Sequence, residues 1–159
     1  MKKIMFVCHG NICRSPMAEF VFKKMIDEKG LSSKYEASSS ATSSEEIWNG
    51  VGNPVYHPAK AELKKHGIEC NDKRAIQLTK SDYDKYDMFI AMDSNNVRNM
   101  HRTFGNDKNG KISKLMDYTN RPGDVADPWY TGRFEVTYRD IYEGCLALLN
   151  KIITEGESK

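Results

Sequence analysis

The segment Lys3-Ile4-Met5-Phe6-Val7-Cys8-His9-Gly10-Asn11-Ile12-Cys13-Arg14-Ser15-Pro16 decides how the rest of the chain is read. It begins with a short apolar run. That run suits a buried strand of a parallel sheet and is too short for a membrane span or an export signal. It ends on Pro16, a residue suited to the first turn of a helix, where a missing N–H costs nothing. Apolar residues at Met17, Phe20, Val21 and Met25, with the stem of Lys24, then form a helical stripe over 16–29 that Gly30 ends. Strand, tight loop and helix in that order place a candidate ligand site, because in open α/β sheets ligands gather beyond the carboxyl ends of the strands.

Working outward, 35–42 reads as a strand of small residues, 87–92 as a second buried strand and 112–116 as another. Helices are expected over 59–66, stopped by Gly67, then over 95–104 and 133–153. The stretches 43–55 and 118–132 read as long loops, which in compact domains tend to be functional. Strands alternate with helices throughout. The expected fold class is therefore α/β: a single domain, 1–159, with a parallel sheet covered on both faces by helices.

Composition agrees. A chain of 159 residues fits one domain, and 39% hydrophobic with 29% charged residues marks an ordinary globular protein. The net charge of +2 is weak for a nucleic-acid surface, so neither nucleic acid nor membrane is an expected partner. Four cysteines, Cys8, Cys13, Cys70 and Cys145, are too few for a disulfide framework; reduced thiols and a cytoplasmic location are expected.

The loop from Cys8 to Pro16 carries the chemistry. Cys8 and Arg14 are spaced so that a curled loop turns both side chains to one centre. Gly10 and Asn11 are the residue types that best tolerate left-handed backbone, which aims successive N–H groups inward. The following helix N-terminus adds further N–H donors. Together, His9, Gly10, Asn11, Ile12, Cys13 and Ser15 would make an anion cradle with a thiol at its floor. A thiol beside a helix N-terminus and an arginine ionises readily, and the thiolate is the nucleophile. Arg14 offers a planar fork for two phosphoryl oxygens, and Ser15 a hydrogen bond to the Cys8 sulfur. Cys-His-x3-Cys has no following ligand pair, so no metal is expected.

A thiolate that attacks a phosphate monoester needs a general acid for the leaving oxygen. Asp127 is the candidate: it lies in the second long loop, before Pro128, with Trp129 and Tyr130 as aromatic walls. Asp124 is the rival, without the proline and the aromatics.

The motif Cys-x5-Arg-Ser in CHGNICRSP resembles the low-molecular-weight protein tyrosine phosphatases. Matches also occur at SSSATS (38–43), VGNP (51–54), KKHGI (64–68), AMDSNN (91–96) and ADPWY (126–130). The resemblance implies a central four-stranded parallel sheet and hydrolysis of phosphotyrosine through a phosphocysteine. Cys8 would be nucleophile, Arg14 phosphate clamp and Asp127 general acid and base. It implies no cofactor, inorganic phosphate as product, and phosphotyrosine proteins as partners, with a tyrosine kinase as counterpart. It also implies that Ser39 and His66 hydrogen-bond the phosphate loop, that Asp93 borders the site, and that Cys13 forms a reversible disulfide with Cys8. Trp48, Trp129 and Tyr130 would form an aromatic rim. Trp48 lies in an insertion, Glu45-Glu46-Ile47-Trp48-Asn49-Gly50, absent from shorter relatives, and His9 stands where an apolar residue is common.

Three other functions compete. A phosphoarginine phosphatase would typically have Thr where this chain has Ile12. An arsenate reductase would need a clustered cysteine pair, whereas Cys70 and Cys145 are 75 positions apart (145 − 70). A silent phosphate-binding or redox-sensing module would keep the cradle without needing Asp127.

Overall fold

A computed structural model describes residues 1–157; the last two residues of the expected domain 1–159 lie outside the described residues. Four parallel strands form the sheet: β1 (Lys2–Cys8), β2 (Tyr35–Ala41), β5 (Met88–Ala91) and β6 (Ile112–Lys114), in the order β2-β1-β5-β6. β1 sits centrally, with Cys8 opposite Ala41 on one side and Val7 opposite Ala91 on the other.

Alternation along β1 divides the interior in two. Ile4, Phe6 and Cys8 enter the larger core, with Met17, Val21 and Phe22 of α1 (Arg14–Glu28) and Ile141, Cys145 and Leu148 of α5 (Phe134–Glu157). Met5 and Val7 point to the other face, with Phe89, Met100 and Phe104, the last two on α3 (Ser94–Phe104). A strand covered on both faces is apolar at successive positions, which is why β1 reads as a continuous run. α2 (His57–Lys65) also packs on the larger core, through Ala59 and Leu63.

The boundaries differ in informative ways. α1 begins at Arg14, two residues before Pro16, because the loop curls directly into the helix. The expected strand 112–116 ends at Lys114, and a short 3-10 turn, Leu115–Tyr118, carries Leu115 and Met116 into the core. A second such turn, Lys80–Asp84, has no apolar period to announce it. The loop 43–55 contains a small hairpin, β3 (Ile47–Trp48) and β4 (Val51–Gly52), and 118–132 contains one helical turn, α4 (Pro128–Thr131). No helix among the described residues is long and apolar enough to cross a membrane.

Candidate active site

Cys8 ends β1 and α1 starts six residues later, so 9–13 must reverse the chain within one turn. Asn11 makes this possible: it is 1% exposed and left-handed, at φ 59°. Its side chain holds that conformation from three directions. Oδ1 accepts from the Ile76 N–H at 3.0 Å, and Nδ2 donates to Ser15 Oγ at 2.7 Å and to Ser39 Oγ at 3.0 Å. Gly10, expected to share the left-handed conformation, does not have a positive φ. A Cβ there would stand 3.2 Å from Glu46 Cγ, a close approach that the Glu46 side chain would have to relieve by a small shift.

The sulfur of Cys8 lies 3.0 Å from Ser15 Oγ and accepts from the Asn11 N–H at 3.3 Å. Ser15 Oγ already accepts from Asn11, which leaves its own proton for the sulfur. Arg14 is 3% exposed. Its Nη1 donates to Asp93 Oδ2 at 2.7 Å and to the Val125 carbonyl at 2.9 Å, while Nη2 stands 3.5 Å from Asp127 Oδ2. Burial works against this charge. The Cys8 sulfur, Asp93 and Asp127 more than offset it, and the guanidinium stays protonated above its ordinary range.

Asp127 caps α4: its Oδ1 accepts from the Trp129 N–H at 3.0 Å. Pro128 follows as the first helical residue and fixes the approach. Asp124 faces elsewhere. Its Oδ1 accepts from Ser94 N, Ser94 Oγ and Lys114 Nζ. Partial burial would raise its pKa, but Lys114 and Ser94 hold it below the usual carboxylate range. Over Cys8 opens a cavity of about 160 Å³ lined by residues 8–14 together with Asp127, Trp129 and Tyr130, and also by Glu45 and Glu46. His9 reaches across to Glu45 at 3.1 Å. Trp129 packs on Tyr56 with ring centroids 4.7 Å apart.

Two expected site residues are placed elsewhere. His66, at the C-terminal end of α2, stacks on Tyr138 at 3.8 Å and meets Glu62 at 3.0 Å, so it supports α2 and α5 rather than the loop. Lys73 occupies the supporting position. Its Nζ donates to the Ser39 carbonyl at 3.0 Å and lies 3.5 Å from Glu19 Oε1, the same oxygen that accepts from Ser39 Oγ at 2.6 Å. Burial lowers the pKa of Lys73, and Glu19 opposes that shift. A lone lysine in a polar stretch carries no signal of such a role. Trp48 lies on the hairpin, 80% exposed, and does not line the cavity; Glu45 and Glu46 stand there instead.

All four cysteines are free and buried. Burial, then the neighbouring Cys8 and Asp127, push the Cys13 thiol far above its usual range, so it is held protonated.

Residues 3–158 match the family described as low molecular weight phosphotyrosine protein phosphatase. The low molecular weight protein-tyrosine-phosphatase YfkJ of Bacillus subtilis is 38% identical over 159 residues, 99% of either chain. The low molecular weight phosphotyrosine protein phosphatase of Rattus norvegicus is 37% identical over 155 residues, 94% of this chain and 95% of its own. Among solved structures, YfkJ from Bacillus subtilis superposes with a TM-score of 0.90 at 37% identity, covering 98% of this chain and 96% of that one. The low molecular weight protein tyrosine phosphatase of Streptococcus pyogenes gives 0.84 at 39% identity, covering 95% and 93%.

Proposed function

The chain belongs to the low molecular weight phosphotyrosine protein phosphatase family, and from that premise we propose how its own residues hydrolyse phosphotyrosine. It is a phosphoric monoester hydrolase, and phosphotyrosine proteins are its substrate class. The whole chain, 1–159, acts as one domain, with a cytoplasmic setting as the proposed location.

The phosphoryl group sits on the N–H groups of the loop beside Arg14. Cys8 Sγ attacks phosphorus as thiolate; the S–P bond forms as the P–O bond to the phenol breaks. Asp127 gives its proton to the departing oxygen. Water then attacks the phosphocysteine and Asp127 takes a proton from it. The S–P bond breaks, the electron pair returns to sulfur, and the Ser15 hydroxyl stabilises the departing thiolate. Arg14 holds the equatorial oxygens, which gain charge in each transition state. The observation that carries this reading is the placement of Asp127 on the wall of the cavity floored by Cys8, 3.5 Å from Arg14.

Depth sets specificity. With phosphate at Cys8, a phenyl ring spans the distance to Trp129 and Tyr130, and each aromatic contact adds about 0.5–1.5 kcal/mol beyond area burial. A serine side chain is too short to do so, and Ile12 presents an apolar group in the cavity. Measured without added metal, kcat/KM should rank phosphotyrosine peptides well above phosphoserine peptides and phosphoarginine. Phosphoarginine as the best substrate, or equal rates on phosphoserine, would move the protein to another branch. Turnover of a small aryl phosphate that Cys8→Ser abolishes would dismiss a silent binding module.

Cys13 is the proposed resolving thiol. If peroxide oxidises Cys8 to the sulfenic acid, Cys13 displaces water from it and a disulfide forms. Peptide mapping after mild peroxide should find residues 8 and 13 linked and activity restored by dithiol; recovery in Cys13→Ser equal to that of the native enzyme would reject the role.

A further inference from the structure

α2 starts on an unusual residue. Tyr56 is its N-cap, where a short side-chain oxygen ordinarily satisfies the free N–H groups, and no side chain caps them here. Local rules are broken where another role takes precedence. The backbone of Tyr56 serves the nucleophile loop: its N–H donates to the Ile12 carbonyl at 2.8 Å, while its carbonyl accepts from Lys60 N at 3.0 Å and opens the helix. Its ring serves the acid loop. It packs on Trp129 with centroids 4.7 Å apart and planes tilted by 48°, and on Phe134 at 6.0 Å. Both are ring contacts, which phenylalanine could make as well.

The contact with Trp129 bears on Asp127. α4 has four residues, too few to hold a helical turn without packing. Before Asp127 the chain is fastened twice: Val125 N donates to the Met92 carbonyl at 2.8 Å, and Thr137 Oγ1 to the Ala126 carbonyl at 3.2 Å. After it, Trp129 is the residue whose backbone N–H holds Asp127 Oδ1, at 3.0 Å. Its indole is 54% exposed and also borders a second hollow of about 490 Å³, shared with Tyr56 and Ile12. The Tyr56 ring therefore limits where the indole can go. A general acid works over hydrogen-bond distance, and a displacement of about 1 Å is enough to cost much of its effect.

We propose that Tyr56 is a positioning residue for the acid. Its backbone is fixed to the loop that carries Cys8 and its ring fixes Trp129, so one residue outside both loops sets the distance from Asp127 to the nucleophile. It touches no reacting atom. The proposal rests on the phosphotyrosine reading above, with Asp127 as acid.

The test compares the native full chain with Tyr56→Ala, Tyr56→Phe, Asp127→Asn and the double variant Tyr56→Ala plus Asp127→Asn. Substrates are phenyl phosphate, a poor leaving group, and para-nitrophenyl phosphate, an activated one. The quantity read is kcat/KM, which covers the steps up to release of the phenol. Tyr56→Ala should lose about tenfold on phenyl phosphate, a part of the roughly 10²–10⁴ that a general acid is worth, and stay within about twofold on para-nitrophenyl phosphate, whose phenolate leaves unaided. Tyr56→Phe should match the native chain on both. Inhibition by inorganic phosphate should not change, because the loop and Arg14 are untouched. With Asp127→Asn already present, Tyr56→Ala should cost little more on phenyl phosphate, because both changes remove the same step. Unchanged kcat/KM on phenyl phosphate, equal losses on both substrates, or the same loss with and without Asp127 would overturn the proposal. Equal losses on both substrates in Asp127→Asn itself would instead remove the acid reading beneath it, and the proposal with it.

Discussion

Asp127 and Asp124 stand three positions apart in one loop and serve opposite ends. Asp124 is fastened to Lys114 and Ser94, where it joins the loop to α3 and β6. Asp127 turns its second oxygen to Arg14 and the cavity. Asp127→Asn should therefore slow hydrolysis of a poor leaving group by roughly 10²–10⁴, the usual worth of a general acid. The loss should shrink for an activated aryl phosphate, whose phenolate departs unaided. Asp124→Asn should leave that leaving-group dependence unchanged; a dependence that follows Asp124 would reverse the assignment. At this scale the sequence was informative wherever a residue's neighbours constrain it: Asp before Pro, Asn after Gly, Arg before Ser. The loop-supporting role expected of His66 came from the resemblance alone; the residue sits in a helix-ending motif. Its contacts, Glu62 one turn back and Tyr138 far along the chain, follow from how α2 lies on α5.

Elements announce themselves through period, and where period fails the support of the site is hidden. The segment 66–79 forms neither helix nor long strand, yet it supplies the Ile76 N–H to Asn11 and Lys73 to Ser39 and Glu19. Lys73 thus joins this segment to β2 and α1, and through Ser39 to Asn11, Ser15 and the sulfur. Lys73→Met leaves Glu19 without one of its cationic neighbours and removes the donor to the Ser39 carbonyl. It should reduce kcat roughly 10–100-fold, the cost of a misplaced reacting group. Inhibition by inorganic phosphate should change far less, because the loop N–H groups remain. Glu19→Gln should reproduce the effect, and the two together should cost less than their sum. Unchanged kcat in a folded Lys73→Met would assign the pair to packing alone. The hairpin in 43–55 was legible in principle, since Asn49-Gly50 between apolar residues is a strong two-residue turn signal. Its strands are too short to show alternation, and the segment read as loop.

Across the whole molecule, α/β alternation and the continuous apolar runs of β1 and β5 were enough to foresee the sheet and its two covered faces. The family resemblance supplied the strand count. What no local pattern conveys is how far apart in the chain the parts of the site lie. Arg14 is braced by Asp93, 79 positions later, and by the Val125 carbonyl, 111 positions later. That spacing has a consequence during biosynthesis. At typical elongation rates, about 5 to 25 s separate the emergence of Arg14 from that of Asp127. Throughout that interval the growing polypeptide carries Cys8 and its loop, but neither the carbonyl that steadies the arginine nor Asp127, the proposed acid. Such a nascent chain lacks the proposed acid, so it should turn over poor leaving groups far more slowly than the finished protein. The cavity is complete only once 125–130 have left the ribosome.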